Sequence, residues 1–256
     1  MTISELAEVA STSETTVIRF CKQIGVPGYP QLRLQLAAQS AREMVRPEVG
    51  GDIEPGDSLD DVVGKVAFAD ERAVRETAQQ LDVDALSKVV AAVAKAPRVD
   101  LYGAAASAFV ALDLQQKLHR IRRVAFAWSD VHVMLTSAAL LGDGDVAIGI
   151  SHTGTTVEVI EALEEAKRHG ATTVAVTNFP RSPLAQTADL VLTTAARETT
   201  YRSGAMSSRI AQLMVIDCLF IGVAQSVLPD ARKALEETAT AVRGHRVKSS
   251  VNDQQN

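Results

Sequence analysis

Short apolar segments alternate with amphipathic segments between residues 99 and 192, and this alternation limits the possible folds more than any other feature. The apolar segments lack the in–out pattern of a half-exposed strand, so they predict strands buried on both faces. Helices between such strands produce a parallel sheet covered on both sides. The predicted strands are residues 99–102, 124–126, 146–150, 173–177 and 190–192, with helices near 107–119, 129–141, 155–169 and 183–187 between them.

The chain divides into two styles of sequence near residue 50. Residues 2–46 have only helical patterns, whereas residues 47–58 are rich in Pro, Gly and acids and predict a linker. We therefore expect an all-α domain at 1–46, a linker at 47–58 and an α/β domain at 59–248. Further helices are predicted near 59–80, 84–95, 207–226 and 229–246.

The N-terminal residues have the pattern of two short helices joined by a tight turn. Thr2 and Glu5 fit a capping box, Ser13 fits the N-cap of a second helix, and Gly25 fits its C-cap. The second helix has an apolar stripe that is predicted to be buried: Val17, Phe20, Cys21 and Ile24. Such a pair can place a recognition helix in the major groove of DNA, although an ordinary helical hairpin has the same spacing.

Residues 13–25, followed by Gly28-Tyr29, resemble the DNA-binding segment of the RpiR family of regulators. The resemblance implies double-stranded DNA as a partner. The residues expected to contact DNA are Ser13, Thr15, Thr16, Arg19 and Lys22. Members of that family usually have about two more helices before this point, so we expect a domain truncated at its N-terminus, with Leu6, Val17 and Phe20 exposed as a result.

Hydroxyl side chains cluster where the third predicted strand ends. Ser151-His152-Thr153-Gly154-Thr155-Thr156 lies between that strand and the N-terminus of a helix. Helix N-termini with free N–H groups and small hydroxyl donors bind anions, most often phosphate. Helix capping without a ligand is the alternative, but four hydroxyls in six residues exceed what a cap needs.

Together with Gly103-Ala104-Ala105-Ala106-Ser107 after the first strand, this loop resembles the sugar isomerase (SIS) domain. The resemblance implies an α/β/α sandwich with a five-stranded parallel sheet, and a sugar phosphate as effector. The residues expected to bind it are Ser107, Ser151, His152, Thr153, Thr156 and Glu198. Ala105 stands where the family has a second glycine, which narrows the first loop by a methyl group.

An aldose–ketose isomerase needs a general base and an acid that opens the ring. The candidates are Glu198, His119, His132 and His152, and no two of them form a compelling pair. Glu198 could equally be a solvated surface charge. We therefore expect a regulator with no catalytic residue, metal or cofactor. A phosphosugar isomerase or etherase, and a ligand-binding module without DNA binding, are the alternatives.

Bulk properties restrict the partners and the compartment. The net charge is -5, and residues 1–46 carry five basic and four acidic residues, so tight DNA binding calls for a homodimer or homotetramer. The apolar faces of the long helices supply a dimer surface unless all of them pack inside. Without an apolar run of about 18 residues or a signal peptide, we expect no membrane contact and a cytoplasmic protein.

Overall fold

The computed structural model describes residues 2–44, 51–198 and 206–243. Parts of the predicted linker, the loop after Glu198 and the C-terminal end of the last predicted helix therefore lie outside the described residues. The chain forms two compact units, residues 1–65 and 66–256.

The first unit begins with three helices, α1 (Ile3–Val9), α2 (Glu14–Gln23) and α3 (Tyr29–Met44). The predicted capping box is present at α1, where the Thr2 hydroxyl accepts from the Glu5 N–H and the Glu5 carboxylate accepts from the Thr2 N–H. Gly25 follows α2 with a φ of +79°, a left-handed conformation that favours glycine. Both predicted helix starts and the predicted stop are confirmed.

The predicted apolar stripe of α2 is only half buried. Val17 and Cys21 pack with Ala7 and Val26 in a small core, but Phe20 is 53% exposed and Ile24 49% exposed. The prediction that these two side chains are buried is wrong because the described helices cover only one edge of the stripe. Of the side chains expected to be exposed by a truncation, Phe20 is exposed and Leu6 partly so, whereas Val17 is buried.

Helix α4 (Leu59–Gln80) begins in the first unit and continues into the second. The second unit then alternates helices and strands as predicted. The helices are α5 (Val83–Lys95), α6 (Ala106–His119), α7 (Val131–Ala138), α8 (Val157–Arg168), α9 (Pro183–Thr187), α10 (Ser207–Ser226) and α11 (Leu228–Ala241). The strands are β1 (Val99–Gly103), β2 (Ala125–Trp128), β3 (Val146–Ile150), β4 (Thr172–Thr177) and β5 (Leu190–Thr193).

The five strands form one parallel sheet in the order β2-β1-β3-β4-β5. Helices α5, α6 and α10 pack on one face of the sheet, and α7, α8 and α9 pack on the other. Residues of β1 and β3 are buried without alternation, as expected for a sheet covered on both faces. The predicted α/β/α sandwich with a five-stranded parallel sheet is therefore confirmed.

The end of β2 and the start of α7 differ from the predicted boundaries, each because of a local interaction. Strand β2 extends to Trp128 because Tyr102 of β1 pairs with it. Helix α7 begins at Val131 because the Asp130 carboxylate accepts the N–H groups of His132 and Val133, so residue 130 is the N-cap. These shifts change no strand order.

Helix α10 is the central helix on its face of the sheet. It is the one helix among the described residues that is long and apolar enough to cross a membrane by length and composition. Five of its apolar side chains are fully buried: Ala211, Val215, Ile216, Leu219 and Val223. The last four of them pack in the core between this helix, the sheet and neighbouring helices. The composition of α10 is therefore that of a core helix. Leu213 and Phe220, two further apolar residues of α10, are partly buried and also pack against this core.

Candidate ligand-binding and DNA-binding sites

The order of the strands reverses between β1 and β3, so that β2 is added on one side of this pair and β4 on the other. The connection through α6 leads from β1 to β2 on one side, and the connection through α8 leads from β3 to β4 on the other. Because α6 and α8 lie on opposite faces, a crevice opens beyond the carboxyl ends of β1 and β3. Parallel α/β sheets bind ligands at such a point. Both loops singled out from the sequence begin there.

The first loop is a tight turn from β1 into α6. A Cβ on Gly103 would lie 2.6 Å from the Ser107 carbonyl oxygen, so only glycine fits. Ala105 has a φ of +48° and a ψ of -121°, a strained conformation for a residue with a side chain. A glycine at this position would adopt the same backbone conformation without strain. The Ser107 hydroxyl donates to Oε1 of Gln212 at 3.4 Å.

The second loop, residues 151–156, is called the phosphate loop hereafter. The Ser151 side chain is 4% exposed, and its hydroxyl accepts the Gly154 N–H at 3.1 Å and lies 2.9 Å from the Thr156 hydroxyl. The Thr153 hydroxyl accepts from both the N–H and the hydroxyl of Thr155. The loop is thus held by its own hydrogen bonds before any ligand binds.

Gly154 permits the close fit of the phosphate loop. It has a φ of +65°, and a Cβ there would lie 2.0 Å from the Ser182 hydroxyl and 2.9 Å from the Thr177 hydroxyl. Helix α8, which follows, receives no side-chain hydrogen bond at its N-cap Thr156. Its first-turn N–H groups have no intrahelical acceptors. They are suited to an anion, and the partial positive charge of the helix end favours one.

A polar wall, defined as His152, Glu198, Ser208 and Gln212, completes the crevice. Oε1 of Glu198 accepts the N–H of Ser208 at 2.7 Å, and Ser208 and Gln212 are one helical turn apart on α10. Each of the four has one buried polar atom without a hydrogen-bond partner: Nδ1 of His152, Oε2 of Glu198, Oγ of Ser208 and Nε2 of Gln212.

These unpaired atoms are concentrated to an unusual degree. Across the described residues, only one other buried side-chain atom, Nε of Arg123, lacks a partner. An unsatisfied buried donor or acceptor costs about 1–3 kcal/mol, so native proteins avoid them outside functional sites. Four on adjoining side chains indicate groups that complete their hydrogen bonds with a polar ligand.

The environment of His152 changes the pKa of its imidazole in two opposing ways. Burial of the imidazole lowers the pKa of His152, while the negative charge of Glu198 acts in the opposite direction. The ring packs edge-on against Phe179, with centroids 5.8 Å apart. The lowered pKa of His152 favours the neutral form of its imidazole.

The segment that leads to Glu198 is fixed by Asn178. Its Oδ1 accepts the Ala196 N–H at 2.7 Å and the Thr194 hydroxyl at 3.3 Å. Sequence reasoning missed Asn178 as a positioning residue and did not assign Ser208 and Gln212 to the site. The four-residue spacing of two polar side chains on a mostly apolar helix was the signal that could have identified them.

The remaining histidine candidates lie elsewhere. Nε2 of His119 is 2.6 Å from the carbonyl oxygen of Ala125, and His132 is exposed on α7. Neither histidine joins the polar wall. Among the described residues, no three His, Cys, Asp or Glu side chains are grouped to hold a metal ion.

The candidate DNA-binding residues lie around the start of α2. The Ser13 hydroxyl caps the helix by accepting the Thr16 N–H, and it lies 2.9 Å from the Thr16 hydroxyl. Thr15, Arg19 and Lys22 are exposed and share one face at helical spacing. Two of the five predicted residues thus build the helix start, and three form an exposed polar surface.

Family models match regions in both parts of the chain. The model of the helix-turn-helix domain of the rpiR family matches residues 1–43, and the SIS domain model matches residues 92–222. An uncharacterized HTH-type transcriptional regulator of Caldanaerobacter subterraneus is 42% identical over 239 residues, which cover 93% of this chain and 84% of the relative. The class is therefore that of helix-turn-helix regulators with a SIS domain.

Two solved structures have the same architecture. The Vibrio vulnificus NanR protein complexed with ManNAc-6P has a TM-score of 0.69 and 29% identity, covering 96% of this chain and 87% of that one. The sugar isomerase domain of an RpiR transcription factor from Sphaerobacter thermophilus has a TM-score of 0.63 and 25% identity, covering 69% and 97%. The chain belongs to the RpiR family of transcriptional regulators.

Proposed function

We propose that this regulator binds a phosphorylated sugar in the crevice between β1 and β3, and that the sugar changes its affinity for operator DNA. The observation that carries the proposal is the set of four unpaired polar atoms beside a preformed anion loop. The similar NanR structure contains ManNAc-6P, which agrees with a ligand of this class.

Each side chain has a role in this proposal. The phosphate binds to the N-terminus of α8 and to the hydroxyls of Ser151, Thr153 and Thr156, while Ser107 supports it from the first loop. The sugar hydroxyls donate to Oε2 of Glu198 and accept from Nε2 of Gln212. His152 and Ser208 complete the set.

We further propose that Thr15, Arg19 and Lys22 contact DNA and that the chain acts as a homodimer or homotetramer in the cytoplasm. One protomer presents a weakly basic surface, so two recognition helices on one duplex would be needed for tight binding. Light scattering after size-exclusion chromatography measures the molar mass and hence the number of protomers. A monomer at the concentrations used for DNA binding would contradict the proposed homodimer or homotetramer.

The test is fluorescence anisotropy on duplex DNA from upstream of the regulator's own gene. Salt is titrated, and the panel consists of glucose 6-phosphate, fructose 6-phosphate, N-acetylmannosamine 6-phosphate and ribose 5-phosphate. We expect sequence-selective binding that weakens with salt and is shifted by one member of the panel. Absence of DNA binding at low salt would contradict the proposal that this protein regulates transcription. DNA binding that no sugar phosphate changes would contradict the proposal that a sugar phosphate is its effector.

A matched pair of serine variants locates the effector. Ser151→Ala removes the acceptor of the Gly154 N–H and should weaken phosphosugar binding by about tenfold or more while DNA binding without sugar is kept. Ser226→Ala removes a hydroxyl that bonds only within the end of α10, and it should behave as the wild type.

A second function, phosphosugar isomerisation, is favoured by one observation, the proximity of His152 and Glu198. We propose that it does not occur, because the Ser208 N–H occupies Oε1 of Glu198, the carboxylate that would have to act as the general base. Deuterium uptake at C1 or C2 of any panel sugar in D2O would contradict this.

A further inference from the structure

One face of helix α4 attaches it to the α/β unit. Ala73 and Thr77 are buried at the centre of this face, and several residues around them are half-buried. The Thr77 hydroxyl accepts the Ala195 N–H at 2.9 Å and lies 3.5 Å from the Ala195 carbonyl oxygen, to which it donates. Ala195 is three residues before Glu198 in the segment that positions the polar wall.

A second contact reaches the polar wall from the other direction. The Ser207 hydroxyl donates to Oδ1 of Asp70 at 2.8 Å, and Ser207 directly precedes Ser208. Between these two contacts, Ala73 packs against Ala196 and Ala211. Asp70, Ala73 and Thr77 are spaced three and four residues apart, so they form one face of α4. That face therefore holds both segments that carry the ligand-binding groups.

We propose that α4 senses occupancy of the polar wall and transmits it toward the helix-turn-helix, an inference that rests on the proposed phosphosugar binding. The Glu198 carboxylate already joins the two segments that α4 holds, through the Ser208 N–H, and a ligand that bonds Oε2 of Glu198 and Oγ of Ser208 adds a second link between them. The ligand-linked arrangement differs in free energy from the empty one, and a helix packed on both segments has a different preferred position in each. Every covalent path from residues 2–44 to the crevice runs along α4.

Thr77 is the residue that makes this contact specific. Its hydroxyl is fully buried and forms hydrogen bonds with both the N–H and the carbonyl of Ala195, which no alkyl side chain can do. Thr77→Val keeps the shape of the side chain and removes both hydrogen bonds. Thr77→Ser keeps the hydroxyl and serves as the conservative rescue. Thr136→Val, on an exposed threonine whose hydroxyl bonds within α7, is the matched control.

The experiment measures amide hydrogen exchange of the full-length chain, with and without an equimolar pool of the four panel sugars. A thermal shift with the same pool establishes binding. In the wild type we expect the pool to slow exchange in residues 151–156 and, about fivefold, in the part of α4 from residue 66 to residue 80. Fivefold corresponds to about 1 kcal/mol, the scale of one buried hydrogen bond.

The variants decide the interpretation. Thr77→Val should keep protection of the phosphate loop and lose the slowing in α4, while Thr77→Ser and Thr136→Val retain both. Asp70→Ala, which removes the acceptor of Ser207 without touching the buried threonine, should reduce the slowing in the same way. A protected phosphate loop with unchanged α4 exchange in the wild type, or full slowing in Thr77→Val, would overturn the inference. Absence of any thermal shift would instead overturn phosphosugar binding, and the inference with it.

Discussion

Replacing Gly154 with alanine tests whether the phosphate loop depends on its close packing against the β4–α9 connection. Two costs can be separated from the structure. An L-residue at a φ of +65° costs about 1–2 kcal/mol relative to glycine. The new Cβ would also lie 2.0 Å from the Ser182 hydroxyl and 2.4 Å from its Cβ, and forced repacking of this kind costs about 1–3 kcal/mol. We expect destabilisation of about 2–5 kcal/mol.

Gly144→Ala provides the control because it carries only the first cost. Gly144 has a φ of +88°, but its nearest contact for a Cβ is Pro97 at 3.9 Å. It should lose about 1–2 kcal/mol. Denaturant unfolding followed by the single tryptophan, Trp128 in β2, reports on the α/β unit for both variants.

Phosphosugar binding provides the second readout. Ser182 caps α9 by accepting the Ala185 N–H, and the Leu184 N–H donates to the Gly154 carbonyl, so displacement of Ser182 disturbs both sides of the loop. Gly154→Ala should bind the effector at least about tenfold more weakly, and Gly144→Ala as the wild type does. Equal stabilities for the two variants, or unchanged effector affinity in Gly154→Ala, would refute the packing argument.

Three further predictions concern separate features of the chain. Ala105→Gly should stabilise the α/β unit by about 1 kcal/mol by relieving the positive φ, and a Trp128 unfolding midpoint at or below that of the wild type would count against it. Because burial lowers the pKa of His152 below its unfolded value of 6.5, the unfolded state binds more protons, so stability should fall as the pH drops below about 6.5. That loss should shrink in His152→Gln, and equal pH profiles would contradict it. Arg19→Ala should lower the slope of log K against log salt by about 1, whereas the exposed Lys88→Ala should leave it unchanged.

The sequence predicted the sheet because its central strands are buried on both faces. Five short, mainly apolar segments between helices have one common solution, and the observed strands differ from the predicted ones by at most two residues at an end. The N-terminal caps were equally predictable, since Thr2, Ser13 and Gly25 act on their own neighbours. Local chemistry and local periodicity carry this information.

The parts that the sequence did not predict depend on distant residues. Phe20 has the spacing of a core residue, but whether it is buried depends on what packs beside α2. Ser208 and Gln212 become site residues only because α10 begins next to Glu198. Asn178 and Thr77 act through backbone groups 18 and 118 residues away, respectively, a separation that no pattern in a single sequence contains.

The polar wall and the attachment of α4 have a common energetic basis. A regulator needs two arrangements of similar free energy. The free energy of ligand binding must therefore be large enough to shift the protein from the empty arrangement to the occupied one. Unpaired atoms at His152, Glu198, Ser208 and Gln212 raise the free energy of the empty arrangement, and a ligand that pairs them lowers that of the occupied one. A helix that is buried along one face only follows such a change more readily than one embedded in the core. The same features that make the crevice a binding site therefore make α4 the element best suited to respond to it.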